Sequence, residues 1–108
     1  MKIKFANGVV KECAAPVEQK LFKNIEGETV GVGWLLILNI LGEMTSAELD
    51  EILTNNDFSS IEFLSENENG EEKSLFTLKG YDKNTSSVIR HADDITKTRT
   101  EINLSKGV

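Results

Sequence analysis

Residues Thr29 to Leu41, read Thr-Val-Gly-Val-Gly-Trp-Leu-Leu-Ile-Leu-Asn-Ile-Leu, form the one stretch of this chain that is apolar on both sides. In an extended strand Trp34, Leu36, Leu38 and Ile40 share one face and Leu35, Ile37 and Leu41 the other, with Asn39 the single polar interruption. Such a strand needs cover on both faces. A buried helix competes as a reading, because periodicity does not separate the two over a short apolar run. Gly31, Gly33 and Gly42 bound the run and favour the strand. A membrane span takes about 20 apolar residues, roughly twice what is present, so no membrane association is expected.

The chain has 108 residues, enough for one domain with its own core. Its single cysteine, Cys13, rules out an internal disulfide framework, and no Cys/His cluster has metal-site spacing. Met1 to Gly8 is charged and alternating, unlike the apolar core of a signal peptide, so synthesis and folding in the cytoplasm are expected. The net charge of -6 opposes the phosphate attraction that dominates nucleic-acid affinity. Lys97, Arg99 and Lys106 are interleaved with acids and make no basic stripe.

Asn7-Gly8 predicts a hairpin over residues 2–14 with a two-residue type I′ turn. In that register Phe5 faces Val10, Ile3 faces Glu12 and Lys4 faces Lys11, which makes the Lys4/Lys11 side the wet one and places Cys13 on it or in a frayed end. Pro16 ends the hairpin. Between Val17 and Ile25 a helical stripe of Val17, Leu21, Phe22 and Ile25 competes with an extended segment, and Asn24 to Gly27 reads as a turn. Thr45 and Glu48 have the spacing of a capping box, with Met44 placed to staple onto Leu49, and predict a short helix that ends near Asn55-Asn56 and packs on the face carrying Trp34 and Leu36. Strands follow at Ile61–Leu64, Leu75–Tyr81, Thr85–Ala92 and Ile95–Leu104, with a polar turn over Glu66–Glu72 and another at Asp82-Lys83-Asn84. The last strand sets Thr96, Thr98, Thr100, Ile102 and Leu104 against Lys97, Arg99, Glu101 and Asn103, the pattern of a half-exposed or edge strand. The expected fold is mainly β (α+β): an antiparallel sheet of six or seven strands, curled into a barrel or split into a sandwich, with one short helix inserted mid-chain.

No catalytic constellation emerges. His91, the only histidine, has Asp93 and Asp94 nearby, but adjacent strand positions point to opposite faces, and a solvated turn explains the cluster better than a ligand set does. Cys13 has no sequence neighbour that would activate a thiolate. Asp82, Asn84 and Asp93 fall at calcium-loop positions, yet Ser87 stands where that loop requires glycine. No serine lies in a nucleophile elbow and no glycine-rich phosphate loop precedes a helix. The expectation is therefore a protein without enzymatic activity, cofactor or metal. Its partners would be proteins, including copies of itself, and its candidate interface residues are Trp34, Leu36, Leu38, Thr98, Thr100 and Ile102. The alternative is a small ligand-binding β-barrel with a cavity lined by residues such as Trp34, Leu36 and Phe63.

Three segments carry a resemblance. Lys2 to Gly8, Thr45 to Leu53 followed by Ile61-Glu62-Phe63, and Leu78-Lys79-Gly80-Tyr81 resemble, in this order, short uncharacterised proteins coded among tail and baseplate genes of prophages in Gram-positive gut bacteria. The resemblance implies a non-enzymatic virion or assembly component, with no catalytic residues to carry over. From Trp34 to Leu41 the chain is more apolar than that group, which leaves open whether this strand is covered within one subunit or between subunits.

Overall fold

The computed structural model of the chain describes residues 1–6, 8–42, 44–55, 58, 60–94 and 97–107, with backbone only at 55, 83–85, 91–94, 97 and 98. Among the described residues the chain order is β1 (Lys2–Lys4), β2 (Val10–Glu12), β3 (Val17–Ile25), β4 (Glu28–Leu41), α1 (Ser46–Asn55), β5 (Ser60–Glu66), β6 (Glu72–Lys79), β7 (Asp82–Asp94) and β8 (Lys97–Gly107). The strands form two antiparallel sheets, one ordered β2-β1-β5-β6 and the other β3-β4-β8-β7, not closed into a barrel. The fold is mainly β with one helix, as expected. The strand count differs from the expected six or seven because the ambiguous Val17–Ile25 segment is a strand.

Local chemistry accounts for most turns. Glu26 and Gly27 both adopt positive φ, so Ile25 and Glu28 close a tight two-residue hairpin, and the Gly27 N–H donates to Asn24 Oδ1 at 3.0 Å. Asn67 Oδ1 accepts the N–H groups of Asn69 and Glu71 and fixes the β5–β6 turn. The first hairpin departs from expectation. Its register pairs Lys2 with Glu12, Ile3 with Lys11 and Lys4 with Val10, one residue away from the two-residue loop. The Gly8 N–H donates to Phe5 O and the Phe5 N–H to Val9 O, so the loop has three residues, with Gly8 at φ 89° in the left-handed position. Asn7 lies outside the described residues. A one-residue slip exchanges faces. Lys11 therefore lies on the side of buried Ile3, and Cys13 is buried against Ile40, not on a wet side.

One core joins both sheets and the helix. Ile3, Phe5, Ile61 and Phe63 come from the first sheet and its hairpin, Leu36, Leu38, Ile40, Ile102 and Leu104 from the second, and Leu49 and Ile52 from α1. Phe58, just beyond the helix, meets Phe5 edge-on with ring centres 6.2 Å apart. The capping box forms as the spacing predicts: the Glu48 N–H donates to Thr45 Oγ1 at 3.1 Å, and that hydroxyl donates to Glu48 Oε1 at 3.2 Å. Met44 and Leu49 are both buried, as a staple requires. Glu48 also pairs with Lys11 of β2, which with the Thr45 contacts holds its carboxyl below the usual range, and Arg90 of β7 reaches Ser46 Oγ at 3.4 Å. The helix is thus moored to strands of both sheets. Asn56, part of the expected stop, lies outside the described residues.

The strand β8 corrects a second expectation. It lies between β4 and β7 and is not an edge. Its inward face, Thr100, Ile102 and Leu104, is buried, and its outward face carries the half-buried Glu101, Asn103 and Ser105. A central strand with one face toward solvent carries the same alternation as an edge strand.

Candidate interaction surface

The strand β4 outruns the sheet that holds it. Among the described residues it pairs with β8 only from Gly33 to Leu41, so there Glu28 to Val32 pair with β3 alone, as one side of a two-stranded arm. The radius of gyration is 15.4 Å against about 13 Å for a compact domain of this length, and the longest axis is 53 Å. A bulge bends the arm: between the pairs Leu21/Gly33 and Phe22/Gly31, β4 carries one extra residue, Val32. An isolated two-stranded ribbon is marginal in water. This one exposes Phe22 (60%), Ile25 (48%), Val30 and Val32.

Two features stiffen the arm and its base. Lys20 lies across Gly31, where a Cβ would come within 2.7 Å of Lys20 Cε, and its ammonium sits 5.7 Å from the Phe22 ring centre and 5.8 Å from that of Trp34. At the root of β3, Tyr81 donates its hydroxyl to Glu18 Oε2 at 2.6 Å. Lys106 stands 4.5 Å from the Tyr81 ring centre and donates to Lys79 O at 2.9 Å. Tyr81 is buried, and burial first, then the Glu18 carboxylate, raises its phenol well above the ordinary value near 10.

The outward face of the second sheet is the other half of the surface. Register places Val17 beside Ile37, Gln19 beside Leu35, and Ile89 beside Glu101 on this face, while Leu21 and Ile25 continue the same side of β3 along the arm. Val17, Ile25, Leu41 and Ile89 are each 45–50% exposed, and Leu35, Ile37 and Leu21 are half-buried. The Asn39 Oδ1 and Asn103 Oδ1 atoms on this face are buried without a hydrogen-bond partner among the described residues. The run from Trp34 to Leu41 thus has cover on its inner face, and its outer face is covered by no other element among the described residues.

The sequence-expected interface residues are distributed differently. Leu36, Leu38, Thr100 and Ile102 are 0–3% exposed and line the subunit's own core. Trp34 is half-buried against that core, with Lys20 beside it. The side chain of Thr98 lies outside the described residues, as do those of His91, Asn84, Asp93 and Asp94. Asp82 begins β7 and is exposed, and the sheet switch falls earlier, at Gly80 with φ 85°. Leu36 and Phe63, expected in the alternative reading to line a cavity, are fully buried in the common core. Burial raises the Cys13 thiol, the opposite of activation. A shallow depression of ≈ 270 Å³ is lined by Lys4, Phe5, Ala6, Ser60 and Glu62. The residues that sequence reasoning missed are Val17, Leu21, Phe22, Ile25, Leu35 and Ile37. For Leu35 and Ile37 the signal was present in the two-sided character of the Thr29–Leu41 run, of which only one side could be internal, and for Val17, Leu21, Phe22 and Ile25 in the apolar recurrence that competed as a helical stripe. No family model, curated protein or solved structure matches the chain.

Proposed function

We propose that this protein is a non-enzymatic structural or assembly component of phage origin, associated with a tail or baseplate, in which two sheets stacked as a sandwich present a contact surface to other proteins. The observation that carries the reading is the arm: a hairpin that extends past its sheet, places Ile25 and Val30 in solvent on the side that carries Val17, Leu35 and Ile37, and exposes Phe22 on its opposite side and Val32 at the bulge. A contiguous apolar surface of this kind on a chain of net charge -6 favours burial against another protein over contact with nucleic acid. The resemblance of the Lys2–Gly8, Thr45–Leu53 and Leu78–Tyr81 segments to prophage tail-region proteins supplies the biological setting.

The test is protein mass spectrometry of phage particles purified from induced cells that carry the gene. The chain is expected in a fixed ratio to the other particle proteins, and an Ile25→Lys/Val30→Lys variant that retains its fold is expected to be lost from them. Absence of the unaltered chain from both particles and their assembly intermediates would overturn the reading.

A further inference from the structure

We propose that β3 pairs antiparallel with β3 of a second copy of this chain, about a two-fold axis at Leu21, to make one continuous eight-stranded sheet. The inference rests on reading the chain as an interaction protein and names its first partner. β3 has β4 on one side and, among the described residues, no strand on the other. It runs for nine residues, and the irregularity opposite it belongs to β4, so its own backbone stays regular. Ile25 closes a two-residue turn with Glu28, so its N–H and C=O point to β4. Alternation then turns the backbone groups of Glu18, Lys20, Phe22 and Asn24 outward along the open edge. The other long edge is already blunted, because β7 is irregular between Asp82 and Ser87 and between Ala92 and Asp94.

The sequence of β3 is complementary to its own reverse. With Leu21 on the axis, Val17 meets Ile25 of the second copy, Glu18 meets Asn24, Gln19 meets Lys23 and Lys20 meets Phe22. No like charges face each other, and Lys20, already poised over Phe22 and Trp34 in its own chain, gains a third ring. On the outward face Val17 then packs beside Ile25 of the other copy at each end and Leu21 beside its own copy at the axis, with Gln19–Lys23 pairs between them, so that Val17 and Ile25, 50% and 48% exposed in the single chain, each gain an apolar neighbour. Moving the axis to Lys20 sets two lysines against each other. Moving it to Phe22 puts Leu21 against Lys23 and leaves Val17 without a partner. The favoured register supplies about eight backbone hydrogen bonds over a narrow strip, at the small end of specific interfaces, so association depends on concentration.

Light scattering after size exclusion, from low micromolar to several hundred micromolar chain, should show the mass rising from the 12.0 kDa of one chain toward twice that value. Phe22→Pro removes an outward N–H and no bond to β4, so it should keep the monomer folded, as seen in Trp34 fluorescence, and hold the mass at one chain. Leu21→Cys should oxidise to a covalent dimer, since directly opposed strand positions meet disulfide geometry. Gln19→Cys should not, because its copies stand about 13 Å apart in this register. A folded protein that stays at one chain throughout, or a dimer indifferent to Phe22→Pro and not trapped by Leu21→Cys, overturns the pairing. Neither outcome removes the chain from phage particles, so the proposed function stands or falls on its own test.

Discussion

Tyr81 ties the root of β3 to the body of the protein, and it is also the only tyrosine. Its ring is buried, its hydroxyl is held by Glu18 of β3, and Lys106 of β8 packs on its face. Because the folded state holds the phenol above its ordinary value, the folded chain binds the proton more tightly than the unfolded chain does. That stability is fully present below the ordinary value near 10 and is lost as the pH rises through it toward the folded value. Tyrosinate absorbance should therefore lag behind that of a free tyrosine and appear together with unfolding, and Tyr81→Phe should weaken the alkaline sensitivity. Tyrosinate that forms near pH 10 in the folded protein would contradict the placement of Tyr81.

At the scale of elements, the capping box was legible because its chemistry is local: Thr45, Glu48, Met44 and Leu49 lie within six residues and need no tertiary partner to be read. Thr45→Ala should cost about 1 kcal/mol, measured by denaturant unfolding, while a change within error would mean that the mooring of Glu48 to Lys11 holds the helix without its cap. β3 was harder to read. Its outward face carries Val17, Leu21 and Ile25 with polar Gln19 and Lys23 between them, so the apolar residues recur every four positions and mimic a helix stripe. The first hairpin was legible as a hairpin but not in register, since a glycine with positive φ serves two-residue and three-residue loops alike. β8 read as an edge because its charged outward face is the same whether or not a strand lies on each side.

For the whole molecule, the two-sided apolar run foretold a strand needing two covers, and the fold supplies one. Which residues would meet a partner could not be read from the run itself. Trp34, Leu36 and Leu38 share the heavier face, and only the topology reveals that this face turns inward and that Leu35 and Ile37 turn outward. The proposed contact surface is the arm together with the open edge of β3, and the arm is the part of the fold that a compact domain of this length would not carry. The most direct measurement is amide hydrogen exchange along β3, resolved by residue with nuclear magnetic resonance, at low and at high chain concentration. The amides of Glu18, Lys20, Phe22 and Asn24 should exchange fast in dilute solution and slow markedly when concentrated, while Gln19 and Lys23, bonded to β4, stay protected in both. Equal rates at the two concentrations for the four outward amides would contradict β3 as a contact strand between copies.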